Sequence, residues 1–263
     1  MNGVTGLRPT FGRVPRTGAM ALSWSMDKLG PMCRAVEDCA LVFGAMHVPD
    51  GRERSCHDTP YSWNANSPLT KIRIGYIKSA FDLPMTERQH PSKPFDDAAL
   101  AVLKSLGVDL IPVELPELPY GAMRLILTAE AGAAFDEFTR SGKVNQMVQQ
   151  NPGAWPNTFR SAHLIPAVEY VQANRVRSVA IAKWAELYKS VDVIITPTNA
   201  PNQLTATNLT GHPACILPHG FRDDGTPTSI TFLGSLFGEA NLLRVAHAYQ
   251  QATNFHLKHP TLA

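Results

Sequence analysis

Ser23, Ser25 and Lys28 stand close together near the start of the chain, and their types could do chemistry. A serine hydroxyl is a weak nucleophile until a base sits within hydrogen-bond reach, and a desolvated, neutral lysine can be that base. The surrounding string, Met20-Ala21-Leu22-Ser23-Trp24-Ser25-Met26-Asp27-Lys28, has no glycine-rich loop whose N–H groups could hold an oxyanion. The simpler reading is that Ser25 and Asp27 make local hydrogen bonds within a turn.

The remaining polar groups offer less. Arg160 carries a guanidinium fork suited to a carboxylate, or is a solvated arginine at a helix start. His212 and His219 flank a predicted strand, and His256 and His259 lie near the end; neither pair has an acid or thiol at ligand-like spacing, so no metal is expected. Asp96-Asp97 reads as a helix start and Asp223-Asp224 as a turn. Cys33, Cys39, Cys56 and Cys215 form no Cys-x-x-Cys pair and read as reduced thiols.

The 263 residues are 44% hydrophobic and 17% charged, with a formal net charge of +2. That is a core-forming composition, too weakly basic for a nucleic-acid partner. No run approaches a membrane span and the first residues lack a signal-peptide pattern, so a cytoplasmic protein without membrane contact is expected. Nothing calls for a cofactor.

The elements that must position these groups follow from periodicity and punctuation. Residues 1–32 read as loop. Residues 34–46 read as a helix, with Val36, Ala40 and Phe43 at helical spacing. Residues 48–70 are polar loop, and Ile72-Arg73-Ile74-Gly75-Tyr76-Ile77 is a strand. Pro84, Pro91 and Pro94 suggest a loop over 79–94. A helix over 95–107 and a strand over 108–113 complete a strand–helix–strand unit. Residues 120–140 form a helix, 151–157 a loop and 167–189 the longest helix, with Pro166 at its first turn. Residues 191–196 are apolar enough for a strand buried on both faces. Two more strands around 214–217 and 229–233, and a helix over 238–253, end the chain.

Several strings, in order, resemble the amidase signature family: Gly6-Leu7-Arg8-Pro9-Thr10-Phe11-Gly12-Arg13, Ser25-Met26-Asp27-Lys28-Leu29-Gly30-Pro31, Leu127-Thr128-Ala129-Glu130-Ala131, Asp192-Val193-Ile194-Ile195-Thr196-Pro197-Thr198, Asn208-Leu209-Thr210-Gly211-His212-Pro213 and Gly238-Glu239-Ala240-Asn241-Leu242-Leu243. The resemblance covers essentially the whole chain. It implies an α/β fold around one mixed sheet with helices covering both faces, and residues 1–263 as the C-terminal portion of a single amidase domain. It also implies hydrolysis of C–N bonds in linear amides by a Ser-Ser-Lys mechanism.

In that family the nucleophile, the second serine and the lysine base precede the Gly6-Leu7 string. The resemblance therefore implies no catalytic residue within this chain. Loss of a nucleophile alone lowers turnover by about six orders of magnitude. By the same resemblance, Thr128, Arg160, Asn208 and Thr210 are substrate-wall residues, Arg160 standing where glutamine-using members grip a carboxylate. Glu130 is read rather as a helix hydrogen bonder. Those members also carry an acid before the Asn-Leu-Thr-Gly string; here Pro201 and Asn202 stand there, which argues against free glutamine.

Four readings stay open: an amide hydrolase seen without its first half, a non-catalytic subunit or ligand-binding remnant, a protein similar to amidotransferase A subunits, and a chain complemented by a separate N-terminal fragment. The partner of the intact family is a small-molecule amide. An exposed sheet edge and apolar face lead to an expectation of self-association or poor solubility in isolation.

Overall fold

The computed structural model describes residues 2–84 and 92–259. Its strands are β1 (Thr5–Arg8), β2 (Met32–Cys33), β3 (Ile74–Ile77), β4 (Leu110–Val113), β5 (Val193–Pro197), β6 (Ala214–Phe221) and β7 (Pro227–Gly234). Its helices are α1 (Val36–Met46), α2 (Lys78–Asp82), α3 (Lys93–Ser105), α4 (Tyr120–Met123), α5 (Leu125–Ala134), α6 (Asp136–Arg140), α7 (Trp155–Ala162), α8 (Ala167–Leu187), α9 (Gln203–Thr210) and α10 (Glu239–Thr253).

Among the described residues the strands form one sheet in the order β2-β1-β6-β7-β5-β3-β4. The β3–β4 and β3–β5 pairs are parallel, and the other neighbours run antiparallel, so the sheet is mixed. The expected strand–helix–strand unit is the parallel β3–β4 crossover through α2 and α3. The β6–β7 hairpin turns at Asp223-Asp224-Gly225, where Gly225 takes a φ of 79°. The edge strand β4 carries Pro112, which has no N–H to offer a further strand.

Strand periodicity sorts the side chains into two layers. Val193, Ile195, Cys215, Leu217, Ile230 and Phe232 face one core with α1, α3 and α10. Ile194, Ala214 and Leu233 face the other, against α4, α5, α8 and α9. Trp184 of α8 anchors the second layer: its indole N–H donates to the Tyr120 hydroxyl at 2.9 Å, so the ring is buried without leaving a polar atom unpaired.

The structure departs from the sequence expectations where proline and polarity mislead. Residues 79–94 are not a continuous loop. α2 follows directly from β3 and buries Ala80 and Phe81. α3 already begins at Lys93, with Pro94 in its first turn, where the missing N–H has no helical partner to lose; Pro91 lies outside the described residues. Pro156 plays the same part in α7, which starts inside the expected 151–157 loop.

The single helix expected over 120–140 is broken into α4, α5 and α6. At the second break Phe135 leaves helical geometry and its ring stacks on Phe159, with centroids 4.6 Å apart. The opening segment holds β1, a short strand with no readable period that is fixed by pairing between β2 and β6. Helix α9 goes beyond the sequence expectations, because Gln203-Leu204-Thr205-Ala206-Thr207-Asn208-Leu209-Thr210 has no apolar stripe. Gly211, at φ 83°, ends it.

Candidate active-site wall

Glu130 is the hub. It projects from α5 toward the turn at residues 22–27. Asp27 Oδ2 accepts the N–H groups of Leu22 at 2.8 Å and Ser23 at 2.9 Å, and this turn presents two serines to the carboxylate. Ser23 Oγ donates to Oε2 at 2.5 Å and Ser25 N–H to the same oxygen at 3.1 Å. Ser25 Oγ donates to Oε1 at 2.7 Å, and the Tyr170 hydroxyl of α8 does so at 2.9 Å. Burial works against the charge on Glu130, yet the Ser23, Ser25 and Tyr170 donors outweigh it and hold the carboxyl below its usual range. Asp27 makes the local turn bonds expected of it, whereas Ser25 is committed to a distant helix.

A second set of bonds ties the same turn to α9. Arg177 Nη1 donates to Ser25 Oγ at 2.7 Å and Nη2 to the Ser25 carbonyl at 2.7 Å, while Nε donates to the Leu209 carbonyl at 2.6 Å. Lys28 Nζ donates to the carbonyls of Thr207 at 3.1 Å and His212 at 2.9 Å. Arg177 and Lys28 thus donate to carbonyls of the last turn of α9, where the helix leaves acceptors unpaired, and Lys28 also to the His212 carbonyl just beyond it. Burial, with the nearby charges of Arg8 and Arg177, pushes the Lys28 amine well below its ordinary value. His212 stacks on Tyr188 with centroids 4.8 Å apart, and burial, with Lys28 beside it, lowers it to about 3.

Beside Glu130 lies an open cleft of about 690 Å³, lined by Phe11, Trp24, Ser25, Ala129, Glu130, Ala133 and Tyr170. A neighbouring cavity of about 530 Å³ shares Ala129, Ala133 and Tyr170 and runs on toward Asp136 and His163. Phe11 is set in the wall by its own N–H, which donates to the Gly211 carbonyl at 2.9 Å. On either side of it, Thr10 N–H donates to Glu239 Oε1 at 2.8 Å, and Arg13 pairs with Glu239 Oε2 at 3.6 Å inside the protein.

The four residues expected to touch substrate are divided among three helices, and none is among the described residues that line this cleft. Thr128 on α5 turns its hydroxyl to the Arg124 carbonyl at 3.4 Å. Arg160 on α7 is held by Asn157 Oδ1 at 2.7 Å and Asn145 Oδ1 at 2.5 Å. Asn208 and Thr210 are brought together on α9. Asn208 Oδ1 accepts from Arg8 Nη1 at 2.8 Å, and the buried Thr210 hydroxyl donates to the Ala206 carbonyl at 2.8 Å and meets His212 Nδ1 at 2.8 Å.

Tyr170 and Arg177 escape the sequence reading, although their spacing on the longest helix puts them on one face. Asp96, read as a helix start, is that and more: it is buried and bonded to His219 Nε2 at 2.9 Å, on the opposite face of the sheet from the cleft. No group of three or more metal-ligating side chains occurs among the described residues, and none of their helices is long and apolar enough to cross a membrane.

The sequence profile of the family described as Amidase matches residues 1–243. The chain belongs to the amidase family. This amidase-family chain is 30% identical over 306 residues to a glutamyl-tRNA(Gln) amidotransferase subunit from Marinomonas sp. (strain MWYL1), covering 99% of the chain and 62% of that relative. It therefore spans less than two thirds of the relative's length.

Solved structures repeat the fold. The inhibitor-bound protein described with a vestigial complex and the origins of an s-triazine catabolic enzyme superposes with a TM-score of 0.80 at 24% identity, over 96% of this chain and 59% of that one. The peptide amidase from Stenotrophomonas maltophilia does so with a TM-score of 0.75 at 24% identity, over 96% and 58%. At these identities the amidase-family likeness to solved structures speaks for the α/β mixed-sheet fold alone.

Proposed function

We propose that the chain is the pocket-bearing part of a protein that cleaves or transfers the C–N bond of a linear amide, and that residues 1–263 supply wall and scaffold rather than the attacking group. The observation that carries this is the state of the two candidate nucleophiles. Ser23 and Ser25 both donate their hydroxyl protons to Glu130, and Ser25 Oγ also accepts from Arg177. Lys28, the candidate base, spends its amine on the carbonyls of Thr207 in α9 and His212 just beyond it. A nucleophile needs its base in hydrogen-bond reach. Here the base serves a helix end and the hydroxyls serve a carboxylate.

In this reading Thr128, Arg160, Asn208 and Thr210 belong to the wall around the substrate. Asn208 and Thr210 would act through α9, and Thr128 and Arg160 through α5 and α7, all four set back from the cleft beside Glu130. The curated relatives are named as amidotransferase subunits, and we extend that to association of this chain with another, in the cytosol. The exposed Met20, Trp24 and Met32 near the start of the chain are apolar surface available for such a contact.

The test is active-site labelling. The purified chain is exposed to a fluorophosphonate, which phosphonylates activated serines, and read by intact-mass spectrometry. No adduct on Ser23 or Ser25 is expected. A stoichiometric adduct at either would overturn the reading.

A further inference from the structure

We propose that the cleft beside Glu130 takes the aryl or bulky apolar portion of a neutral amide and rejects free amino acids such as glutamine. This rests on the reading of the chain as part of an amide-cleaving protein and names the substrate class of that same pocket.

The charged groups around the cleft are already committed to partners. A free amino acid brings an ammonium and a carboxylate, and burying either without a partner costs several kcal/mol. Among the described residues that line the cleft, Glu130 alone is charged. Its two oxygens already receive Ser23 Oγ, Ser25 N–H, Ser25 Oγ and the Tyr170 hydroxyl, so no lone pair is directed at an incoming ammonium. The neighbouring guanidinium, that of Arg177, is divided among Ser25 and the Leu209 carbonyl, with each of its three nitrogens engaged. Arg160, which could have gripped a carboxylate, is held by Asn145 and Asn157. In the adjoining cavity Asp136 is engaged by Arg140 Nε at 2.8 Å and lies 3.5 Å from His163 Nε2.

What remains on offer is apolar. The Phe11, Trp24 and Tyr170 rings stand around a floor of Ala129 and Ala133 methyls. Where the two cavities adjoin, Gly132, Ala162, Ile165 and Ala167 continue the same surface. A volume of about 690 Å³ suits a drug-sized organic group. An aromatic ring placed there sheds water from its apolar surface and gains ring–ring contacts. Pro201 and Asn202, where an acid would be needed to hold an ammonium, line a separate cavity with Ile77, Glu114 and Tyr120.

The experiment is ligand-observed NMR titration of the full 263-residue chain with benzamide, glutamine, benzylammonium and benzyl alcohol. Benzamide is expected to bind at least ~10-fold more tightly than glutamine, a difference of ~1.4 kcal/mol. Ala133→Trp, which fills the floor, should abolish benzamide binding. Trp24→Ala, a change at a half-exposed wall residue that leaves the core untouched, should weaken it ~3-fold while the unfolding transition stays cooperative.

Glutamine or benzylammonium binding as tightly as benzamide would overturn the proposal, and so would an absence of benzamide binding. Benzyl alcohol bound as tightly as benzamide, and lost in Ala133→Trp, would support the aryl pocket while counting against the amide reading beneath it.

Discussion

Arg177 holds Ser25 at two points, its carbonyl and its hydroxyl, and with its third nitrogen reaches the last turn of α9. A single side chain on the longest helix thereby fixes the distance between the serine turn, Glu130 and the end of α9. The cleft wall is a consequence of that triangle.

Arg177→Met should destabilise the chain by ~2–4 kcal/mol, because it leaves the Leu209 and Ser25 carbonyls without a charged donor. Arg177→Lys should recover little, since one ammonium cannot span the fork. Urea unfolding curves of the two variants, compared at constant m-value, check this.

Glu239→Ala should be more severe, at ~3–5 kcal/mol, because Arg13 would be left as a buried, unmatched cation and Thr10 N–H would lose its acceptor. A loss below ~1 kcal/mol by thermal or denaturant unfolding would show that water reaches Arg13.

His212 gives a pH signature. Its folded value lies near 3 and its ordinary value is 6.5, so the unfolded chain binds the proton first. Stability is therefore retained above 6.5 and lost as pH falls toward 3, by ~2 kcal/mol at pH 5. His212→Phe should flatten that limb of the stability–pH curve. Lys28 acts at the alkaline end with the same sign: its folded value is lowered, so stability should climb as pH rises toward 10.5, and Lys28→Met should remove the climb.

Glu130 differs in kind. Its folded value is depressed, so its contribution is full above the ordinary carboxylate value and disappears as pH falls through the folded one. Glu130→Gln should cost ~1–3 kcal/mol at pH 7, and the gap to the parent chain should close in acid. A gap that persists unchanged at low pH would mean that shape rather than charge at Glu130 matters.

Much of the sheet is legible in the sequence because its inner strands are short, apolar and bounded by Gly and Pro, as in Val193-Ile194-Ile195-Thr196-Pro197. The elements beyond that reading lack the signal. β1 exists through pairing with residues some two hundred positions away, and α9 through side chains that cap it. Prolines 94 and 156 read as breakers until their place in a first turn is known.

The site divides in the same way. Ser25, Glu130, Asn208 and Thr210 can be singled out from residue type and resemblance, but the bonds that decide the roles of the first three are long-range. Ser25 reads as a turn residue and is the meeting point of α5 and α8. The Tyr170–Arg177 stripe is present in the sequence at helical spacing and needs only the question of what a polar face on a long helix is for.

The most direct measurement is steady-state ammonia release from benzamide by the purified chain, run beside its Ser25→Ala variant. Release indistinguishable from the enzyme-free blank for both is the result this account predicts. Turnover by the parent chain that disappears in Ser25→Ala would contradict it.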